Sequence, residues 1–203
     1  MYYSRMRVIS NLHPLLLKAS RSATVVSVFA AGMEDKLLDD LSLRNPKEYD
    51  YNQARSHIVY MHTAYLEKVA EQNRGKISLL HVYPGLVVGP GFNNPDLPSW
   101  FRFFWHWIFV PLFSRWAAVP ADETGNRMLS LASSRYPPFG ETKEGTVATT
   151  DENGGSYSLT WNGDNNYNAK AYELMDKIEF RQKVWQHTNE AFEQITTKGI
   201  FTG

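Results

Sequence analysis

Cysteine is absent from the 203 residues, which excludes disulfides, thiol catalysis and cysteine-ligated metal. A surplus of either charge is absent too. Lys plus Arg and Asp plus Glu each number 21, so the formal net charge is zero and no long-range field draws nucleic acid to the chain. Nucleic-acid binding is therefore not expected. A long uninterrupted apolar run is also missing, because the most apolar stretch is broken by Arg102, His106 and Pro111 and falls short of the about 20 apolar residues that a spanning helix needs. There is no internal repeat, low-complexity tract or signal-like leader, and the cytoplasm is the default compartment. The six histidines show no ligand spacing. His57 and His62 are five apart and so not on one helix face, while His81 sits in a strand run without a carboxylate at ligand distance in sequence, and no metal is expected.

What is present is an ordinary globular composition, 43% hydrophobic and 21% charged, enough for one sizeable core. Met6, Ile9, His13, Leu16 and Leu17 approximate an apolar stripe and predict a helix over about 4–20. The β-branched run from Ala23 to Phe29 predicts a buried strand, and helix followed by strand suggests a parallel α/β layer. The segment from Met33 to Pro46 is too polar for core and is expected to be a surface loop with at most a short helical turn. Ile58, His62, Tyr65, Leu66, Val69 and Ala70 recur at helical spacing, predicting a helix from Tyr51 to about Asn73 that stops at Asn73-Arg74-Gly75. A strand from Ile77 to Tyr83 follows.

Further on, Pro120-Ala121-Asp122-Glu123 places proline and acids where a helix N-terminus favours them, with Met128, Leu129, Leu131 and Ala132 as the expected buried side. A short strand is expected over Thr146 to Thr149. The turn-rich segment Asp151-Glu152-Asn153-Gly154-Gly155 could offer two carboxylates to a cation but is better read as a solvated loop, and Tyr157 to Gly163 as a local loop. From Asn168 to about Thr197 a helix is expected, with Met175, Ile178, Trp185, Phe192 and Ile195 on its packing side.

Two segments carry chemistry. In Tyr51-Asn52-Gln53-Ala54-Arg55 a phenol stands four residues before a guanidinium, so on a helix the two share a face. A cation beside the phenol favours its ionised form, and such a phenol can pass a proton to or from a carbonyl oxygen while hydride moves at carbon. A purely structural tyrosine is the alternative. In His81-Val82-Tyr83-Pro84-Gly85-Leu86-Val87 a strand ends in Pro-Gly, at the carboxyl end where an open parallel sheet binds ligands. A plain strand-ending turn is the alternative here. Gly89-Pro90-Gly91-Phe92 continues that loop.

From Tyr2-Tyr3-Ser4-Arg5, through the strand Thr24-Val25-Val26-Ser27-Val28-Phe29 and Ala30-Ala31-Gly32, to Leu66-Glu67-Lys68 and Tyr83-Pro84-Gly85, the order of elements resembles the short-chain dehydrogenase/reductase (SDR) family, in a divergent, fungal-type branch. The resemblance implies an α/β fold, the C-terminal portion of a Rossmann-like doubly wound parallel sheet, forming one partial domain over 1–203. It implies NADP or NAD as cofactor, Tyr51 as acid/base with Arg55 as its electrostatic partner at the nicotinamide ribose, and Pro84, Gly85 and Val87 against the nicotinamide. The family's Gly-rich turn, which holds the dinucleotide pyrophosphate at a helix N-terminus, has no counterpart here, since nothing like Gly-x-x-x-Gly-x-Gly occurs in the sequence, and the chain is expected to be truncated. The family's active-site serine would fall near Ala30, with Ser27 too early to replace it. Its lysine is replaced by Arg55, a planar fork instead of a compact ammonium.

Trp100 to Phe113 packs three tryptophans and five phenylalanines into fourteen residues. Aromatic surface on this scale is expected to be covered. Over about 96–118 three readings stand: a substrate lid, as in similar reductases; an interfacial membrane anchor; or a core or dimer helix. The lid reading implies a bulky, apolar small-molecule substrate, and a homodimer and peripheral membrane contact remain open as partners. The resulting expectation is an NAD(P)-dependent oxidoreductase interconverting a ketone and an alcohol on such a molecule, in a setting of secondary-metabolite biosynthesis. The alternative is a truncated, non-redox binding or interaction protein.

Overall fold

A computed structural model describes residues 1–47, 49–88, 98–112, 118–150 and 153–202. The elements run α1 (Tyr2–Leu16), β1 (Ala23–Val28), α2 (Tyr51–Gln72), β2 (Ile77–Val82), β3 (Val87–Val88), α3 (Ser99–Phe104) continued by a π-turn (Trp105–Phe109), β4 (Val119–Pro120), α4 (Ala121–Ser130), β5 (Ser156–Leu159), a 3₁₀ turn (Ala169–Tyr172) and α5 (Lys177–Lys198). The main sheet has the order β1-β2-β5 with every pair parallel, and β3 pairs with β4 in a second, parallel ribbon. This is an α/β architecture with the parallel sheet and flanking helices of a partial Rossmann-like fold.

β2 is the central strand, and all six of its residues are buried. Its sequence Ile-Ser-Leu-Leu-His-Val is near-continuously apolar, as a parallel strand covered on both faces should be. α2 lies against it, burying Val59, Tyr60, Met61, Leu66, Val69 and Ala70 among others. On its far side α2 meets α5, whose buried face is Phe180, Val184, Thr188, Ala191 and Phe192. α1 completes the core with Tyr2, Met6 and Ile9, and Tyr2 Oη bonds Thr188 Oγ1 at 2.7 Å across the fold.

Several expectations need correction. α1 stops at Leu16, not near residue 20, because Pro14 in its last turn has no N–H to continue the ladder. β1 is a flanking strand, and only Ser27 of its six residues is buried. The polar segment 33–46 is not merely surface: Glu34, Leu38 and Leu41 are buried, and its backbone is nailed to α2 where Asp35 and Lys36 N–H donate to Ser56 Oγ and Leu38 N–H donates to His57 Nδ1. There is no strand over 146–149. The third sheet strand is instead Ser156–Leu159, inside the stretch expected to be a loop.

The C-terminal helix is also not continuous from Asn168. It breaks after a 3₁₀ turn and restarts at Lys177, where Asp176 caps the Ile178 and Glu179 amides. Ile178 and Ile195, expected on its packing side, are exposed. Leu129 of α4 and Ala132 just beyond it are exposed although Leu131 is buried, and a cleft of about 840 Å³ opens between this helix and β1. Asp151 and Glu152 of the proposed cation loop, and Gly89-Pro90-Gly91-Phe92, lie outside the described residues.

Two buried polar groupings hold α2. Glu67, 1% exposed, pairs with Lys177 Nζ at 3.0 Å and Arg181 Nη1 at 3.8 Å, tying α2 to α5. Burial raises the Glu67 carboxyl above its usual range despite these cations. Against the downward pull of burial, Glu67 and Tyr167 hold the Lys177 ammonium above its own usual value. The second grouping is His62 on α2 and His81 on β2, fully buried and stacked at 4.2 Å between ring centroids. His62 Nε2 meets Ser27 Oγ at 2.9 Å, and Thr63 Oγ1 meets His81 Nδ1 at 3.3 Å. Burial, then the neighbouring ring and Arg5, push His62 well below the usual imidazole range, and burial with Arg5 pushes His81 down to about 3.

Removing one partner of a buried pair strands the other charge. Lys177→Ala should cost up to about 3 kcal/mol in urea unfolding at neutral pH, the low end of the usual penalty because Arg181 remains. A change below about 0.5 kcal/mol would show that Glu67 is solvated or protonated in the fold. The histidines set a pH dependence. Because the folded His81 pKa lies below the unfolded 6.5, its contribution is complete above that value and is lost as pH falls through the window from 6.5 to about 3. Glu34 and Glu67, raised by burial, oppose it by favouring the folded state as they protonate. Comparing wild type with His81→Asn isolates the histidine, and the variant's stability-versus-pH slope between about pH 6 and 4 should be shallower by about 1.4 kcal/mol per pH unit. Parallel curves would mean that His81 protonates in the folded chain.

Candidate active site

The carboxyl ends of β1 and β2, the loop from Ala30 onward and the first turn of α2 all meet at one end of the sheet, because a parallel strand, a connecting loop and a returning helix must place the helix start beside the strand end. Tyr51 is the first residue of α2. Asp50 fixes it there, in an extended conformation with its carboxylate accepting from the Asn52 amide at 2.9 Å and the Gln53 amide at 3.2 Å. The Tyr51 side chain is 61% exposed, so its phenol is open to solvent and to a ligand.

Arg55, one turn on, is part-buried, and its Nη2 donates to Met33 Sδ at 3.0 Å. Among the described residues no hydrogen bond joins it to the Tyr51 phenol. The i, i+4 spacing expected from the sequence is real, but the guanidinium is steadied by a soft acceptor from the loop after β1. Of its five donors, one is used in this way.

Pro84 and Gly85 follow β2, with Gly85 at φ 75°, a left-handed conformation that a side chain resists. The backbone from Tyr83 to Val87 is half-buried. A Cβ on Gly85 would also press on the indole of Trp161, and the Arg127 guanidinium lies over the Trp161 ring at 4.1 Å from its centroid. Val87 begins β3, where it pairs with Val119. The structure thus brings Pro84, Gly85 and Val87 into one turn at the sheet end where α2 begins, and it adds Met33, Trp161 and Arg127, which the sequence reading missed. Met33 followed a strand it was not paired with, and Trp161 sat in a stretch taken for a local loop. The Trp-Asn-Gly-Asp run marks a turn, and Thr160 N–H donates to Asp164 C=O across it at 2.9 Å.

Ala30, at the place of the expected serine, is buried. Ser27 is also buried and engaged with His62, which accounts for its hydroxyl without catalysis. Asn166 Nδ2 donates to Ala31 C=O at 2.5 Å and Asn168 Nδ2 to Glu34 C=O at 3.1 Å, so the segment after β5 buttresses the loop after β1. Glu34 itself is held by Tyr172 Oη, which donates to Oε1 at 3.0 Å, and burial raises its carboxyl above the usual range. Tyr172 is pushed well above the usual phenol value by the same burial, then by Glu34 and Glu67.

These residues fit the nicotinamide end of a dinucleotide: a positive-φ glycine turn with half-exposed backbone, an open phenol and a cation with spare donors. The pyrophosphate end has no such fit, since no Gly-rich turn occurs in the sequence.

No protein-family model matches the chain. Among curated proteins it is 33% identical to the short-chain dehydrogenase/reductase SAT2 of Stachybotrys chartarum, over 97% of this chain and 58% of that protein. It is 34% identical to the oxidoreductase AN1596 of Emericella nidulans, over 95% of this chain and 60% of that protein, and 31% identical to the oxidoreductase andH of Emericella variicolor, over 96% and 60%. The chain therefore spans about three fifths of the length of these relatives. Across the span that it shares with them, the chain is related in sequence to these fungal proteins, one named a short-chain dehydrogenase/reductase and the others oxidoreductases.

Proposed function

We propose that this chain carries the proton-transfer and nicotinamide-facing part of an NAD(P)-dependent oxidoreductase that interconverts a ketone and an alcohol on a bulky apolar molecule, in secondary metabolism. The observation that carries the reading is the open Tyr51 phenol, fixed by the Asp50 cap at the same end of the sheet as the Gly85 turn. The names of the curated relatives support the reaction class.

A bound dihydronicotinamide would supply the hydride to the carbonyl carbon. The chain's own residues manage the proton. Tyr51 Oη–H donates to the carbonyl oxygen as negative charge develops there, leaving a phenolate, and solvent reaches the exposed ring to restore the proton. In the oxidising direction the same phenolate accepts the alcohol proton. Arg55 follows one turn on along the same helix face, and its remaining donors suit the nicotinamide ribose hydroxyls. Pro84, Gly85 and Val87 supply backbone against the nicotinamide, with Trp161 bracing Gly85 from behind. NADP and NAD are both compatible with these groups.

A second reading, a non-redox binding or interaction protein, is favoured by the buried Ala30 at the serine's place. The two diverge at Tyr51. In the chain, or in a longer native form of it, Tyr51→Phe should lower NADPH- or NADH-dependent reduction of hydrophobic ketones by at least about 10²-fold while leaving the fold intact. An unchanged rate would remove the proton-transfer role. Arg55→Lys should raise that activity if a compact ammonium serves the ribose and phenolate better; equal or lower turnover would show that Arg55 is adapted to another task.

A further inference from the structure

The helix that starts at Ser99 has two apolar faces. Phe101, Trp105 and Phe109 form an inner column with rings stacked at 6.2 and 4.5 Å, and Trp105 is buried. On the other side Trp100, Phe103, Phe104, Trp107, Ile108 and Leu112 are exposed, Trp100 at 70% and Trp107 at 73%. Their spacing of i, i+3, i+4, i+7, i+8 and i+12 is that of a single helix face. The expected cover over this aromatic surface is absent among the described residues. Of the wider segment 96–118, residues 96–97 and 113–117 lie outside the described residues.

Charge and residue type select the occupant. Between Asp96 and Asp122 the sequence has no carboxylate, and its fixed charges there are Arg102 and Arg115. Among the described residues of the segment, 98–112, Arg102 is the one fixed charge and has no carboxylate beside it in sequence, so a second copy meeting this face across a two-fold axis would bring that cation no partner. A lid closing over a small molecule would use the inner column, where Trp105 is already buried. An anionic lipid surface matches both features: tryptophan rings sit at the headgroup level with apolar rings inward and N–H groups toward water, and Arg102, flanking the face, finds lipid phosphate and serine carboxylate. No helix among the described residues is long and apolar enough to cross a membrane, so the element would lie in the interface plane.

We propose that the exposed face of the 99–112 helix docks the protein onto an anionic membrane surface, inserting Trp100 and Trp107 among the headgroups. This stands independently of the redox reading. A protein that works on bulky apolar molecules would gain from it, because such molecules partition into the same bilayer.

The test is co-sedimentation of the chain with vesicles of phosphatidylcholine alone and of phosphatidylcholine with phosphatidylserine, with tryptophan emission read alongside, and a vesicle-free spin to subtract aggregation. The chain should pellet with the anionic vesicles, release in about 0.5 M salt, and shift its tryptophan emission to the blue with quenching by brominated lipid. The double variant Trp100→Ser, Trp107→Ser should bind at least about tenfold more weakly. Both side chains are exposed, so the variant should fold, and its far-UV spectrum checks this. Arg102→Gln should weaken binding to anionic vesicles only. Binding that is absent, indifferent to lipid charge, or unchanged in the double variant would overturn the proposal. So would sedimentation as a dimer that the double variant dissociates without any lipid binding, which would make the face a protein interface.

Discussion

α2 is covered by the sheet on one side and α5 on the other, and this double burial is the constraint to which the other elements answer. A helix so enclosed cannot leave polar side chains to solvent, yet α2 carries His57, Ser56, His62, Thr63 and Glu67 inward. Each demands a partner, since an unpaired buried polar group costs more than a hydrogen bond returns. Ser56 and His57 take backbone amides of the 35–38 loop, His62 takes Ser27 on β1, Thr63 takes His81 on β2, and Glu67 takes Lys177 and Arg181 on α5. The polar residues of one helix thereby fix the position of a loop, two strands and a second helix. Apolar packing alone would tolerate a slide along the helix axis; this set of paired groups does not.

The same anchoring reaches the candidate site. Met33 and Glu34 follow β1 and lead into the amides held by Ser56, so the loop that meets Arg55 is positioned by the turn of α2 just after Arg55. Asn166 and Asn168 grip that loop from the other side. Tyr51, by contrast, precedes the buried part of α2 and sits directly after the Asp50 cap. A rigid loop and cation beside an open phenol is an arrangement suited to a group that must exchange protons with both substrate and solvent.

How much of this could be read from residues follows the same physics. α2 and β2 were legible because their apolar periodicity and burial coincide: Leu66, Val69 and Ala70 recur at helical spacing, and Ile77 to Val82 is a short apolar run ending in Pro-Gly. The Asp176 cap and β5 were not. Ser-Tyr-Ser-Leu has little hydrophobic signal, and it becomes a strand because β2 offers an unpaired edge to which its backbone bonds, a tertiary effect invisible to a local window. Glu34 was read as surface because its charge is ordinarily solvated, whereas Tyr172, distant by 138 positions, supplies the donor that lets it stay inside. Tyr51 and the Pro84-Gly85 turn were named from spacing and resemblance, but Trp161 behind Gly85 depends on a chain crossing that no spacing reveals.

The aromatic helix shows how a single segment can serve two surfaces. In an ideal α-helix each four-residue step overshoots a full turn by about 40°, so a column of residues at i, i+4 and i+8 drifts steadily around the axis. The π-turn over Trp105–Phe109 is wider, and a four-residue step within it falls short of a full turn, bringing Phe109 back toward the azimuth of Phe101. Phe101, Trp105 and Phe109 therefore stay in register as one stacked column in which Trp105 is buried. That column takes one side of the helix and leaves Trp100, Phe103 and Trp107 exposed on another. A helix that had only to fill core would gain nothing from tryptophan at its most exposed positions, so the outer face is explained by what it meets and not by the fold beneath it.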